Sequence, residues 1–477
     1  MLCLAAVCNI TAQDTLWIKS GDLYTRPEAY PIAGLDSVVY FNKYMYLYGS
    51  QFEKGRIGMR YEKALGPDRD GGFFFKEPIS YIYGGTKYDV AKMTIDTENG
   101  AEIDGKTKAD YRKCNIHIDS RNDSWNYSGT GKIRGRGNSS WAWYPKKPYR
   151  LKLDKKAEIL GLGKNKDWVL LANYRDPTDL MNTFVFNWGE AVGLPCTNHT
   201  RYVEITLNGE YIGLYQLTEQ VEVAKTRVNI DDERGILLEL DVDDGPGDSP
   251  EATDNFWTEV YRMPACVKNP DDPSADVVDS VKQEFARLEY AIWEHDYDEF
   301  EELADVNSFI DYLLVQEFVY NVEVAAPRSI YLHKDVGGKW TFGPLWDFDA
   351  GYDFDWNDMY YGHGYFDDYD KTVLGTDPAR HVSNYSYTPS FFTDMWKSSR
   401  FVAKVRERWQ AVKPRIVSEI WHETLKYYDA GYDAMGRDDW CWWIDKEYSS
   451  EVLRMQEWIT NRVEFIDATV NAYPEGR

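Results

Sequence analysis

The sequence predicts an α+β protein, with a β-rich first half, a mostly helical second half and a β-rich appendage at the N-terminus. Short runs of alternating apolar and polar residues, punctuated by Gly, Pro and Asn-Gly, dominate residues 89–241. Apolar residues at helical spacing dominate much of the chain after residue 241. With 477 residues, of which 43% are hydrophobic, the chain is long enough for two or three compact units with real cores.

The first 88 residues divide into two parts. Residues 1–12 resemble the end of a signal peptide, because an apolar run from Met1 to Cys8 is followed by small residues suited to a cleavage site. No other apolar run approaches the ~18 residues of a membrane-spanning helix. We therefore expect an exported protein without a transmembrane segment, located in the periplasm, on the cell surface or outside the cell. Residues 13–88 are predicted to form an aromatic-rich β appendage.

Residues 89–241 are predicted to form a β-rich lobe. Its clearest element is the hairpin YVEITLNGEYIGLYQLTE, in which Val203, Ile205 and Leu207 alternate with polar residues and Asn208-Gly209 suits a tight turn. A helix from about Thr178 to Val192 interrupts the strands. The other predicted strands are CNIHID (114–119), PYRLKLD (148–154), DWVLLA (167–172) and GILLELD (235–241).

Residues 242–415 are predicted to form a helical lobe with a metal site, and residues 416–477 to add C-terminal helices. Helical spacing is clearest over residues 306–321 and 452–470. Between them, SIYLHKD and KWTFGPLWDFD predict a hairpin across residues 336–338. The acidic stretch 241–254 does not fit a calcium-binding loop, because Gly245 and Pro246 fall where a ligand and the turn Gly belong, and it is predicted to be a solvated linker.

The charge balance excludes several classes of function. Lys and Arg total 54 and Asp and Glu total 79, which gives a net charge of −25. Such a surface repels phosphate backbones and argues against broad binding of nucleic acids or anionic membranes, but a local basic site for a small anion remains compatible. Beyond residue 12 the spacing of the cysteines matches no zinc motif, and buried thiols or one or two disulfides fit equally well. These cysteines are Cys114, Cys196, Cys266 and Cys441.

A Gly-rich basic segment, KIRGRGNSSWAWYPKKPYRLKLD (132–154), is the first candidate site. Gly135 and Gly137 allow a close approach of the backbone, and Asn138, Ser139 and Ser140 add short donors. Concentrated positive charge suits an anionic ligand such as a nucleotide, although a basic turn that pairs with the protein's own acids fits the composition equally well. The charged residues are Arg134, Arg136, Lys146, Lys147, Arg150 and Lys152.

An acidic run, PLWDFDAGYDFDWND (344–358), is the second candidate site. In an extended segment Asp347 and Asp349 point to the same side, where two carboxylates repel unless a cation such as Mg²⁺ or Mn²⁺ neutralises them. A solvated acidic loop is the alternative, but Trp346 and Phe348 argue against full exposure. The run also contains Asp353, Asp355 and Asp358.

Glu323 is the candidate general base, since it follows a long amphipathic helix and precedes Asp347 by 24 residues. The alternative is an ordinary acid at a helix end, where a carboxylate is unfavourable at the C-terminal side. The sequence has no HExxH, GxSxG, Walker A or GxGxxG motif, which disfavours zinc hydrolases, α/β-hydrolases and Rossmann or P-loop enzymes.

The strings GRGNSSW, YPKKPYRLKLD, DWVLLANYRDPTDLMNTF, YIGLYQLTEQVEV, LLELD and GPLWDFD, in this order, resemble the spore coat protein H (CotH) kinase-like family from about Thr94 to Val470. The resemblance implies an atypical, two-lobed protein-kinase-like fold with a β-rich N-lobe and a helical C-lobe. It further implies a kinase that binds ATP with Mg²⁺ or Mn²⁺ and transfers the γ-phosphate to Ser or Thr of a protein partner.

The resemblance also assigns roles to individual residues. The nucleotide-proximal segment contains Gly135, Arg136, Gly137, Asn138, Ser139, Lys147 and Arg150. Lys152 is implied as the phosphate-contacting lysine, with Lys147 second and Glu219 as its ion-pair partner, while Glu239 and Asp241 lie near the junction of the lobes. Asp347 matches the family's metal-binding aspartate, and Asp349 is a second candidate ligand. Two positions depart from the family pattern: Glu323 replaces the catalytic Asp, and Ser329 replaces an Asn at the second metal position.

Three other functions remain open from the sequence. The departure at Glu323 is compatible with a slow kinase and with a catalytically weak pseudokinase. A surface glycan-binding or scaffold protein would use aromatic residues as stacking platforms, although these residues also suit ordinary core packing. They are Trp356, Trp440, Trp442 and Trp443. A metal hydrolase would use the acids of residues 347–358 without needing the basic segment.

Overall fold

A computed structural model describes residues 83–324, 326–354, 364–374, 390–444 and 446–473, together with the backbone of five strands before residue 83. Contacts divide the chain into two units, Met1–Gly84 and Gly85–Arg477. In the first unit, strands β1 (Thr15–Ile18) and β2 (Glu28–Pro31) form an antiparallel pair. Strands β3 (Leu35–Phe41), β4 (Tyr44–Gly49) and β5 (Ile57–Arg60) form an antiparallel sheet. The predicted signal-like segment 1–12 lies outside the described residues.

A closed barrel of seven strands begins the second unit. Its strands are β6 (Ala91–Thr97), β7 (Arg112–Asp119), β8 (Tyr127–Gly135), β9 (Tyr149–Ile159), β10 (Leu162–Leu171), β11 (Arg201–Leu207) and β12 (Glu210–Glu219). The order around the barrel is β10-β12-β11-β6-β7-β8-β9, and every pair is antiparallel except β6 with β11. The predicted hairpin is confirmed as β11–β12, with Asn208 and Gly209 at positive φ of 51° and 84°.

Strict alternation fixes which side chains fill the barrel. On β8 and β9, Ile133, Leu151 and Leu153 are buried in the barrel core, and the residues between them face outward. Trp168 of β10 and Leu217 of β12 fill the same core. Because side chains of a strand point alternately to opposite faces, the charged residues of β8 and of the first part of β9 lie on the outer face.

Four of the five strands of a second sheet lie in the half that was predicted to be mostly helical. Its strands are β13 (Ile236–Leu240), β14 (Asn255–Trp257), β15 (Pro264–Asn269), β16 (Ile330–Lys334) and β17 (Thr341–Phe342), in the order β14-β15-β13-β16-β17. The predicted hairpin around residues 336–338 is confirmed as β16–β17. Strand β13 ends the predicted N-lobe, yet it is hydrogen-bonded to β15 and β16 in this sheet rather than to the barrel.

Helices supply most of the remaining core, which confirms the α+β class. They are α1 (Ser139–Ala142), α2 (Met181–Val192), α3 (Ala275–Trp293), α4 (Tyr297–Leu303), α5 (Val306–Phe318), α6 (Ser399–Arg415), α7 (His422–Trp442) and α8 (Tyr448–Ala472). The predicted helices at 178–192, 306–321 and 452–470 correspond to α2, α5 and α8. In the described part of the chain, no helix has the length and apolar character needed to cross a membrane. Cys114, Cys196, Cys266 and Cys441 are free thiols.

The start of α2 is held by a buried carboxylate. Asp176 accepts hydrogen bonds from the backbone N–H groups of Thr178 (2.8 Å) and Met181 (2.9 Å). Burial, with Asp179 as a nearby like charge, raises the pKa of Asp176 from 3.8 to about 6, although Lys446 opposes the shift. The folded protein therefore holds this proton more tightly than the unfolded chain does.

This raised pKa makes stability depend on pH in a defined direction. The contribution of protonated Asp176 is fully present below pH 3.8 and is lost as the pH rises through about 6. Asp176→Asn removes the titration and keeps an oxygen acceptor. We expect the melting temperature of the variant minus that of the parent to increase between about pH 4 and pH 6 and then to level off. Thermal unfolding at a series of pH values tests this, and a constant difference would contradict it.

Candidate functional site

A cleft of about 380 Å³ lies between one edge of the barrel and the second sheet. One wall comes from the end of β8, the segment that contains α1, and the start of β9. The opposite wall comes from β13, β16 and the segment after β17. Both candidate segments of the sequence, the Gly-rich basic one and the acidic one, therefore face the same space.

The basic wall requires glycine at its turn. Gly137 has φ +84°, and a Cβ placed there would lie 2.2 Å from Oγ of Ser140. A Cβ on Gly135 would lie 2.3 Å from the ring of Trp141. Lys106 closes the turn from outside, because its Nζ donates to Gly137 O (3.0 Å) and to Asn138 Oδ1 (2.6 Å). The loop is thus compact, and its polar groups line the cleft.

Arg136 extends from this loop toward the acidic wall. Its guanidinium lies 5.3 Å from the ring centre of Trp346, in cation–π geometry. Burial lowers the pKa of Arg136, and the nearby Asp347 opposes this effect. The guanidinium therefore provides a desolvated positive charge beside the carboxylates.

Asp347 and Asp349 lie close together in the acidic wall, but the segment is not the extended strand on which the prediction was based, since β17 ends at Phe342. Asp347 has a positive φ of 62°, a conformation that is uncommon for residues other than glycine. Burial, followed by the charge of Asp349, raises the pKa of Asp347 to about 7. Arg136 and Arg175 oppose this shift. Two carboxylates in this arrangement favour either a proton or a cation between them.

Glu323 lies in the same cleft, in a short turn of 3₁₀ helix over residues 322–324. Its Oε2 atom is buried and has no hydrogen-bond partner among the described residues. Burial is the main cause that raises its pKa well above 4.5, and the charges of Asp347 and Asp349 add to it. Arg175 and Arg328 act in the opposite direction. A carboxylate with a free, buried oxygen is a group that can accept a proton from a bound molecule.

Arg175 was not predicted as a site residue. It donates to the carbonyl oxygen of Asp349 (2.7 Å), forms an ion pair with the Asp349 carboxylate (2.9 Å) and lies 4.0 Å from the ring centre of Phe354. These contacts fix the position of the Asp349 carboxylate. The string NYRDP contributes to the family resemblance, but only the fold shows that its Arg reaches the acidic wall.

The acidic stretch 241–254 is more than the predicted solvated linker. Asp241 is buried and accepts hydrogen bonds from the N–H groups of Ser329 (2.9 Å) and Asp243 (2.7 Å). Burial and the nearby Glu239 raise the pKa of Asp241 to about 7. The prediction is corrected because Asp241, Asp243 and Asp244 line the cleft. Lys268 joins this wall together, with Nζ 2.7 Å from Glu239 and 3.0 Å from Asp244.

Most of the predicted site residues meet in the cleft. Those that line it are Arg136, Gly137, Asn138, Ser139, Arg150, Glu239, Asp241, Glu323, Ser329, Asp347 and Asp349. Four predicted residues, Gly135, Lys147, Lys152 and Glu219, are not among its lining residues. Of the other acids in the run, Asp353 pairs with Lys371 (2.5 Å), whereas Asp355 and Asp358 lie outside the described residues.

The structure does not form the predicted ion pair between Lys152 and Glu219. Lys152 lies 3.1 Å from Asp167 on the neighbouring strand, and Glu219 contacts Nδ1 of His199 at 2.8 Å. Lys147 donates to the carbonyl of Trp141 (2.5 Å). A different lysine, Lys146, lines the cleft, but its Nζ is buried against Asp438 (2.8 Å). The positive charges that act on the carboxylates of Asp347 and Glu323 are therefore arginines.

The carboxylate oxygens of the acidic wall suit a divalent cation only when a bound molecule supplies further oxygen atoms. Among the described residues, no group of three or more His, Cys, Asp or Glu side chains is placed to hold a metal ion. Mg²⁺ is often bound by one or two carboxylates, with phosphate oxygens and waters completing the shell. Asp347 and Asp349 fit this pattern, with Arg136 placed for the phosphate charge.

Comparison with known proteins supports the resemblance seen in the sequence. A family model described as CotH kinase protein matches residues 133–466, which include both walls of the cleft. No curated protein matches the chain. The matched region is more than half of the 477 residues. The chain therefore belongs to the CotH kinase protein family.

Proposed function

We propose that the protein is an exported kinase that transfers the γ-phosphate of ATP to Ser or Thr of a protein partner. The observation that carries the proposal is the meeting of Glu323, Asp347, Asp349 and Arg136 in one cleft. Phosphoryl transfer requires little covalent chemistry from the protein and depends mainly on positioning and charge neutralisation. A wall of arginines facing a wall of carboxylates supplies both requirements.

Asp347 and Asp349 would hold Mg²⁺ or Mn²⁺, and Arg136, Arg150 and the Gly137 turn would hold the phosphates of ATP. When bound, the cation supplies charge neutralisation for the transferred group. Arg175 keeps Asp349 in position through one hydrogen bond to its carbonyl oxygen and an ion pair with its carboxylate. The role implied for Lys152 remains a prediction. Lys152 and Arg150 both contact Asp167, but only Arg150 of the two lines the cleft, which favours the arginines as the phosphate ligands.

Glu323 would accept the proton of the attacking Ser or Thr hydroxyl. It must be ionised to do so, although burial and two neighbouring acids raise its pKa. The positive charges of Arg175 and Arg328 favour its ionised form. Glu is one methylene longer than Asp, and a misplacement of about 1 Å can cost about 100-fold in rate. A slow kinase is therefore the form of this activity that we propose, with a pseudokinase as the nearest alternative.

Asp347→Asn tests the cation assignment. Loss of a group that only orients a metal ligand lowers metal affinity by roughly 10–100-fold. Because Asp347 is proposed as a ligand itself, the variant should weaken the metal-dependent part of ATP binding by at least this factor. The melting temperature of the variant without ATP should not fall, since the change removes the repulsion between the carboxylates of positions 347 and 349. Thermal-shift titrations with ATP, with and without Mg²⁺ or Mn²⁺, measure both quantities.

Asp353→Asn is the matched control for this experiment. Asp353 belongs to the same acidic run but pairs with Lys371 and does not line the cleft. Its variant should therefore keep the parental metal-dependent shift. If Asp347→Asn binds metal and ATP as the parent does, Asp347 is not the ligand.

Binding of glycans is a second candidate, favoured by two indoles at the end of α7. Trp440 and Trp443 are 76% and 84% exposed, so the core-packing alternative is wrong for both. Trp442 is partly buried and donates to the carbonyl of Ile212 (3.0 Å), while Trp356 lies outside the described residues. Exposed indoles suit stacking on sugar rings. A panel of oligosaccharides in the same thermal-shift assay tests this candidate.

A further inference from the structure

Three lysines stand side by side on the outside of the barrel. Lys113 of β7 pairs in register with Lys132 of β8, and Lys132 pairs with Lys152 of β9. Their sequence neighbours Cys114, Ile133 and Leu151 are buried in the barrel core. Because side chains alternate between faces, the three lysines share the outer face. We call this set of three the lysine ladder.

The ladder is an unfavourable arrangement for the free protein. Residues directly opposite each other in an antiparallel pair have Cβ atoms about 4.5–5.5 Å apart, and like charges at such positions are destabilising. Among the described residues, only Lys152 of the three has a carboxylate partner, Asp167, which it shares with Arg150. Within the same part of the chain that the structure describes, no ion pair within 4 Å involves Lys113 or Lys132, although the Lys132 ammonium lies 4.5 Å from the ring centre of Tyr111. The ladder is therefore a local cluster of positive charge on a chain whose net charge is −25.

The ladder is continuous with the cleft. Two residues further along β8 and two residues back along β9, Arg134 and Arg150 pair in register on the same face, and both line the cleft. In the other direction along β8, Ser128 and Thr130 line a shallow groove of about 400 Å³. The outer face of β8 therefore presents one strip that runs from the groove, across Lys132, to Arg134 at the cleft.

We propose that the ladder binds an acidic segment of the protein substrate and guides it to the cleft past Arg134 and Arg150. The proposal rests on the function proposed above, and it names the substrate class as Ser or Thr flanked by Asp or Glu. The cleft wall formed by Asp243 and Asp244 repels the same acidic segment. Attraction by the ladder and repulsion by this wall together determine the orientation in which the segment binds.

A polypeptide fits this surface better than other polyanions do. Three lysines on adjacent strands span only about 9.5 Å at the usual strand spacing, and alternate side chains of an extended peptide are about 6.6 Å apart. The patch therefore matches two carboxylates on alternate residues of an extended peptide. A nucleic acid or an anionic membrane presents many more charges, and most of these would face the negative remainder of the protein.

Lys132→Glu tests the proposal without touching the cleft lining. The full-length variant and its parent are compared by fluorescence anisotropy with labelled short peptides that carry one Ser flanked by Glu, Gln or Lys. The Glu peptide should bind the parent most tightly and should lose affinity at higher salt, since exposed charges are screened. Lys132→Glu reverses the charge of the central lysine and should weaken binding of the Glu peptide by about fivefold or more, as expected for a change of two charges near a carboxylate.

The same variant has a second readout that a purely structural role would not produce. A Glu at position 132 lies opposite Lys113 and Lys152, and this attraction offsets the loss of the contact between Lys132 and the Tyr111 ring. The melting temperature of the free protein should therefore stay close to the parental value while affinity falls. Lys92→Glu is the matched control, because Lys92 is an exposed lysine of β6 outside the ladder. It should leave binding of the Glu peptide within about twofold, since screening limits charge effects over longer distances.

Several results would overturn the proposal. These are equal binding of the Glu and Gln peptides, parental affinity in Lys132→Glu, or single-stranded DNA or anionic vesicles binding as tightly and with the same dependence on Lys132. Peptide phosphorylation with radiolabelled ATP separates the two proposals. Phosphorylation without preference for Glu overturns the docking surface alone. Binding that depends on Lys132, without any phosphorylation, supports the docking surface and contradicts the kinase.

Discussion

Replacement of Glu323 by Gln should lower phosphoryl transfer by about 100-fold or more, which is within the range of general-base contributions. Binding of ATP with its metal should remain close to parental, because the proposed role of Glu323 is to contact the acceptor hydroxyl rather than the nucleotide. The buried Oε2 atom without a partner among the described residues is the observation on which this expectation rests. A radiolabelled ATP assay with Mg²⁺ and with Mn²⁺ measures the rate.

The pH profile distinguishes a base from a structural acid at this position. Because burial and two nearby carboxylates raise the pKa of Glu323, the rate of the parent should increase with pH as this group ionises. The Gln variant should lack that limb of the profile. Glu323→Asp shortens the side chain, and an increase in rate would show that the extra methylene misplaces the carboxylate. Full activity in the Gln variant would exclude the general-base role.

Arg462→Met should destabilise the protein by about 3–5 kcal/mol, the usual effect of removing one partner of a buried ion pair. Arg462 of α8 is fully buried and donates to the carbonyl oxygens of Phe318 (2.8 Å), Tyr369 (2.7 Å) and Lys371 (2.5 Å). It also lies 3.7 Å from the carboxylate of Glu317. The variant leaves these carbonyl groups without the Arg462 donor. It also removes the positive charge nearest the Glu317 carboxylate, which keeps its hydrogen bonds from the backbone N–H groups of Val373 (3.2 Å) and Leu374 (2.7 Å).

Urea unfolding followed by tryptophan fluorescence measures the change. Glu317→Gln in the Arg462→Met background should recover part of the loss, since it removes the uncompensated buried charge. Arg400→Met is the control, because Arg400 forms exposed ion pairs with Asp298 and Glu301, and it should leave the midpoint nearly unchanged. Equal effects of Arg462→Met and Arg400→Met would contradict the structural role of Arg462.

Local patterns were sufficient to predict the elements but not their partners. Alternation and the Asn-Gly turn predicted β11–β12, and helical spacing predicted α5 and α8. The parallel pairing of β6 with β11 joins segments about 110 residues apart, and no local pattern contains it. The same reason explains the second sheet, whose β13 pairs with strands that follow it by dozens of residues.

The candidate site shows the same division. The spacing of Asp347 and Asp349 indicated a paired acidic site, and the family resemblance brought in Glu323. The sequence could not show that Lys152 of β9 pairs with Asp167 of the neighbouring strand β10, or that Arg175 reaches Asp349. Both contacts depend on strand register and on the path of the chain between elements. The charge of a side chain was therefore predictable, but its partner was not.

The parallel pairing that closes the barrel also has a consequence for synthesis of the chain. Strand β6 cannot acquire its β11 neighbour until residues 203–207 have emerged, more than 100 residues after β6 itself. Until then, β6 and the strands that follow it present an unpaired edge, which is a template for association with other chains. Closure over such a sequence separation is also slow relative to the formation of local hairpins. Nascent chains of this protein therefore pass through an interval in which the free edge of β6 is exposed to association with other chains.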